Sequence, residues 1–105
     1  MAAARKVVCV GDHPHEMVEQ IKLMVHRKDI EFTEAAGTHE GLEAIRRVKP
    51  DLVFLDLMAL DMAGWDVYKD MKSDSELKHI PVIGTSPKDL REMARLARYD
   101  IKALL

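Results

Sequence analysis

The sequence predicts a doubly wound α/β fold, a parallel five-stranded sheet with helices on its two faces, and three observations carry that prediction. Short β-branched runs alternate with segments whose apolar residues recur at helical spacing, in units of roughly 20 to 30 residues. Val7-Val8-Cys9-Val10, Leu52-Val53-Phe54-Leu55 and Ile80-Pro81-Val82-Ile83 are the continuous runs that strands buried on both faces require. No internal repeat, low-complexity tract or Pro/Gly/Ser-rich linker divides the 105 residues, so residues 1–105 read as one domain.

Each element has its own signal. After the first run, Pro14 suits a first helical turn, and Met17, Ile21, Met24 and Val25 recur at helical spacing. Ile30-Glu31-Phe32-Thr33 alternates, as a strand with one wetter face should. Beyond Gly37, Thr38 is the expected helix N-cap, with Leu42, Ile45 and Val48 as the apolar stripe and Pro50 as the stop. Leu52 to Leu55 is the next buried strand, and past Gly64 the residues Trp65, Val67, Tyr68 and Met71 outline a helix ending near Ser73. Ile80 to Ile83 is a further strand, Leu90, Met93, Ala94 and Ala97 mark a fourth helix, and Ala103-Leu104-Leu105 reads as a fifth strand. Five strands and four helices leave one covering helix missing, so a sheet of this kind would show apolar surface.

Composition narrows the function classes. Sixteen Lys and Arg against eighteen Asp and Glu give a net charge of −2, with no run of basic residues, so no footprint for nucleic acid or anionic lipid is present. With 48% hydrophobic and 32% charged residues the chain is an ordinary globule rather than a disordered segment. A single cysteine, Cys9, excludes an internal disulfide and suits a reducing cytoplasm. The most apolar stretch, Leu52 to Leu60, is broken by Asp56, and neither a signal peptide nor a membrane span is expected.

Open parallel sheets bind ligands outside the carboxyl ends of their strands. That rule selects Asp12 after the first strand, Asp56 after Leu55, and Thr85 with Ser86 after Ile83. Carboxylate and hydroxyl oxygens suit a hard cation such as Mg²⁺, and a carboxylate beside such a cation can act as nucleophile toward a phosphoryl group. The same residue types are also ordinary helix caps, and the spacing leaves both readings open.

Three segments then resemble the receiver domains of two-component response regulators. Val10-Gly11-Asp12-His13-Pro14 looks like the family's acidic turn after the first strand. Leu52 to Asp56, followed by Leu57-Met58-Ala59-Leu60-Asp61-Met62-Ala63-Gly64, is similar to the phosphoacceptor strand and loop, and His79 to Ser86 to the strand that ends in Ser or Thr. The resemblance covers nearly the whole chain. It implies a flavodoxin-like strand order 2-1-3-4-5, with Asp56 as phosphoacceptor, Asp12 and Asp56 as Mg²⁺ ligands together with the Met58 backbone carbonyl, and Ser86 as the phosphate contact that moves on switching. It also implies a sensor histidine kinase or phosphotransfer protein as partner, and a signalling switch rather than a metabolic enzyme.

Departures from the family pattern are specific. Gly11 stands where the family has the first acid of a pair, and Leu60 replaces the usual proline. The phosphate-binding lysine of the fifth strand has no counterpart, Lys102 falling too early, and Leu105 stands at the aromatic switch position. The resemblance places the first and fifth helices on one face, so a receiver truncated after its fifth strand would leave apolar side chains of the first and fifth strands partly bare. At about 25 cal/mol per Å², several hundred Å² of such surface forgoes on the order of 10 kcal/mol, which leads to expected self-association through that face. A phosphorylation-independent pseudo-receiver, acting as a protein–protein interaction module, is the alternative reading that Gly11 and the missing lysine favour.

Other motifs carry less. His15-Glu16-Met17-Val18-Glu19 has the start of a zinc-protease helix, yet Glu19 stands where the second histidine is needed. Trp65 and Tyr68, one turn apart, suit packing better than recognition, and the seven methionines fall mostly on helical stripes. Cys9, inside a buried strand, is expected to be an inert small hydrophobe.

Overall fold

The computed structural model describes residues 4–25, 28–56 and 64–85. Within them β1 (Arg5–Val10), α1 (Pro14–Met24), β2 (Ile30–Ala35), α2 (Thr38–Val48), β3 (Leu52–Asp56), α3 (Gly64–Ser73) and β4 (Val82–Thr85) alternate as the sequence predicts. The sheet is parallel with order β2-β1-β3-β4. This is the flavodoxin-like order over the strands described. The expected fourth helix and fifth strand, and with them Ser86, Met58 and Lys102, lie outside the described residues.

Period-two alternation divides the strand side chains between two apolar layers. Val8, Val10, Val53 and Leu55 face α2 and α3, where Ala44, Ile45, Val67 and Met71 complete a buried cluster. Val7, Cys9, Leu52, Phe54 and Ile83 belong to the opposite layer with Val18 and Ile21 of α1. All of these strand residues are buried, Val7 and Cys9 of β1 among them. The expectation that first-strand side chains stay partly bare is therefore corrected, because α1 contributes Val18 and Ile21 to their layer. Self-association accordingly gains no support from bare strand surface among the described residues.

Local details adjust the sequence reading. Thr38 is the first helical residue rather than the cap, and Gly37 precedes it at φ 136° with no side-chain capping bond. α2 ends at Val48, and Lys49 reverses the chain in the left-handed region at φ 50° before Pro50, a stop that satisfies an orphan carbonyl through Lys49 N–H donating to Ile45 O. β4 begins at Val82 rather than Ile80. Ile80 instead anchors the preceding turn with Leu77, both buried, and the Asp74 carboxylate accepts a bond from the Glu76 N–H at 2.8 Å. The spacing between helix and strand hid that turn, since an Asx-type bond leaves no apolar period.

α2 reaches β1 closely only because position 41 is glycine. A Cβ built there would lie 2.7 Å from Val10 Cγ1, inside any normal contact. At the opposite end of the sheet, Asp51 N–H donates to Lys6 O and the Asp51 carboxylate accepts from Lys6 N–H, each at 2.8 Å, which fixes β3 against β1.

Candidate functional site

Parallel pairing brings the carboxyl ends of all four strands to one rim, and the register sets which residues meet there. Val10 pairs with Ala35 on one side and Leu55 on the other, and Asp56 pairs with Thr85. Asp56 is thus the last residue of an interior strand, half-buried, with β1 and β4 flanking it. The next step on β1 is Gly11, buried, whose N–H donates to Ala35 O at 3.2 Å. A Cβ at Gly11 would lie 3.3 Å from Asp56 Cβ. Position 11 is therefore in contact with Asp56, and the exposed Asp12 follows it directly. Two of the predicted site residues are placed at one rim; Thr85 belongs to it through its main chain.

The rim has a definite electrostatic character. Each described helix starts there with an acid in its first turn, Glu16, Glu40 and Asp66, and ends at the far side with a base, Lys22, Arg46 with Arg47, and Lys72. This is the arrangement helix dipoles favour. With Asp12, Asp56 and Glu34 added, the described rim holds six carboxylates and no Lys or Arg; its potential cations are His13, His15 and His39. Such a rim attracts a cation and repels a free anion.

Among the described residues no three His, Cys, Asp or Glu side chains cluster as a metal cage. Asp12 and Asp56 supply carboxylate oxygen alone. That donor set fits a hard cation that keeps most of its water and takes one or two carboxylates, and does not fit zinc.

His15 does a different task from the one its motif suggests. Its Nδ1 lies 2.9 Å from Glu34 Oε2, and its Nε2 lies 3.9 Å from Glu19 Oε1, tying α1 to the end of β2. The hydrogen bond to Glu34, and then the charge of that carboxylate, hold the imidazole above its ordinary pKa. Nineteen positions separate the partners, so no helical or strand period could have shown the pair. Trp65 and Tyr68 meet edge to face with centroids 6.2 Å apart, and the Lys72 ammonium lies 5.6 Å from the Tyr68 ring centre. Tyr68 packs against the α2/α3 cluster, as the packing reading expects. Cys9 is buried and its thiol is pushed up to about 12 by burial, then by the charge of Glu34, so it is no nucleophile near neutral pH.

The fold and the position of Asp56 define a class, flavodoxin-like α/β domains with a carboxylate rim at the carboxyl end of a parallel sheet. Residues 7–103 match the model of the response regulator receiver domain, and the chain belongs to that family. It is similar to the polar-differentiation response regulator DivK of Brucella anthropi, 41% identical over a 56-residue alignment that covers 50% of this chain and 46% of that protein. The match thus spans about half the length of that curated relative. Among solved structures it is similar to the N-terminal domain of a response regulator receiver protein from Methanoculleus marisnigri, with a TM-score of 0.64 and 30% identity over 83% of this chain and 74% of that one. The phosphorylated cyanobacterial phytochrome response regulator RcpA is similar at TM-score 0.66 and 25% identity, over 89% of this chain and 74% of that one. Receiver domains are signalling modules, and among the described residues no helix is long and apolar enough to cross a membrane.

Proposed function

We propose that this receiver takes a phosphoryl group onto Asp56 and passes the change to a protein partner. The observation that supports the reading is the seat of Asp56 at the carboxyl end of an interior strand, beside Gly11 and opposite Thr85. An Asp56 carboxylate oxygen attacks the phosphorus of a phosphohistidine on a sensor kinase or phosphotransfer protein. The P–N bond breaks, its electron pair leaves on the imidazole, and the resulting acyl phosphate is later cleaved by water. Mg²⁺ would be held by the carboxylates of Asp12 and Asp56 and by the Met58 backbone carbonyl, and would neutralise charge on the phosphoryl oxygens. Ser86 would hydrogen-bond the phosphoryl group and move with it.

Adding roughly −2 charge to a rim already rich in carboxylates gives the switch its driving force. The similarity to DivK and to a phosphorylated phytochrome response regulator supports a regulatory role rather than a metabolic reaction. Nucleic acid and membrane are not partners in this reading, and the lone reduced Cys9 suits the cytoplasm.

Gly11 specifically favours a second reading, a pseudo-receiver that binds its partner without phosphorylation. Mass spectrometry after treatment with acetyl phosphate and Mg²⁺ separates the two. Gain of one phosphoryl group, absent in Asp56→Ala and in chelator, supports the relay; an unmodified native chain establishes the pseudo-receiver.

A further inference from the structure

A side chain at position 11 would meet two neighbours, and only one of them belongs to the rim. The ideal Cβ lies 3.3 Å from Asp56 Cβ and 3.0 Å from the thioether sulfur of Met17, one turn into α1. Met17 is half-buried and packs against the α1 layer of the core. The space that a position-11 side chain would take beside Asp56 is therefore bordered at close range by sulfur.

We propose that Gly11 and Met17 are a matched pair, and that Met17 closes the inner corner of the Asp12–Asp56 site and so limits its affinity for a divalent cation. Met17 is a positioning residue here, acting through the shape of the corner. Three arguments support it. Glycine is the one residue that leaves the corner clear, since any Cβ must be squeezed between a sulfur and the Asp56 Cβ. Of the two, Asp56 Cβ is fixed to an interior strand, whereas Met17 carries several rotatable bonds, so Met17 is the one that must give way. Thioether sulfur is also a soft donor that Mg²⁺ does not accept, so the corner adds no ligand.

Restoring an acid at position 11 is then insufficient by itself. In Gly11→Asp the new carboxylate competes with Met17 for the corner, whereas in Gly11→Asp/Met17→Ala it gains room beside Asp56. The proposal rests on the reading of Asp12 and Asp56 as a cation site, and its test keeps the two separate.

The packing half needs no metal. Gly11→Ala should be less favourable to the melting temperature in the native background than in a Met17→Ala background, by a few °C, whatever the sign of each shift. Equal shifts in both backgrounds would overturn the pairing. The cation half is read by Mg²⁺ titration of Trp65 fluorescence. Gly11→Asp/Met17→Ala should bind about tenfold more tightly than the native chain, with Gly11→Asp well short of it. Equal affinity of the single and double variants would overturn the role of Met17. Absence of Mg²⁺ binding in every variant, with the melting coupling intact, would instead sink the cation-site reading and with it the cation half of the proposal. If Gly11→Asp does not fold, the two alanine substitutions still decide the packing half.

Discussion

The pair of His15 and Glu34 makes protonation a structural event at the rim. Protonated His15 donates Nδ1–H to the Glu34 carboxylate, which raises the folded-state pKa above the unfolded one. The stability it contributes is full below the ordinary imidazole value and is lost as pH rises through the raised folded value. His15→Gln should therefore lower the melting temperature near about pH 5.5 and leave it unaltered near about pH 9 in low salt, with a small effect because both groups are solvent-exposed. A loss of equal size at both pH values would show that the contact works by shape and not by charge. Cys9 gives an independent check on the same scale. With its thiol held at about 12 and buried in β1, it should resist an aromatic disulfide reagent in the native chain and react fully once the chain is unfolded in guanidinium. Fast labelling of native protein would mean that β1 opens locally.

At the scale of elements, α2 comes close against β1 at Gly41. Gly41→Ala gains about 1 kcal/mol of helix propensity but drives a Cβ to 2.7 Å from Val10 Cγ1, a buried β-branched side chain with no room to turn. Overpacking costs about 1–3 kcal/mol, so denaturant melts should show a net loss of up to about 2 kcal/mol. A stabilised variant would place α2 farther from the sheet than 2.7 Å implies. Gly41 carries no signal in the sequence, whose apolar spacing marks Leu42, Ile45 and Val48 as the stripe. The period of apolar residues showed which face of α2 turns inward, but a gap shaped by glycine carries no hydropathy. The same limit applies at the rim. Strand ends and the two carboxylates were legible because buried β-branched runs stop at Asp12 and Asp56, whereas Met17 beside Gly11 and Glu34 beside His15 are contacts between elements that no local period encodes. Thr38 shows a smaller failure, in which the right residue type stands one position past the cap it was expected to form.

Among the described residues charge is unevenly distributed, and that distribution sets how ions act on the rim. The first turns of the described helices and the strand ends carry carboxylates, while Lys22, Arg46, Arg47 and Lys72 lie in the last turns of those helices. Simple screening by salt weakens repulsion among the rim acids, so sodium chloride should raise the melting temperature slightly and without reference to any one residue. A bound divalent cation acts differently, by mass action on the folded state. At ten times its dissociation constant it stabilises by about 1.4 kcal/mol, which is about 5 °C for a domain of this size. Mg²⁺ should therefore raise the melting temperature beyond sodium chloride of equal ionic strength, and Asp56→Asn should abolish the excess while leaving the sodium chloride response nearly intact. If Mg²⁺ and sodium chloride act alike at matched ionic strength in the native chain, the carboxylate rim is a diffuse field with no bound ion, and signalling through this receiver must then rest on its partner-binding face.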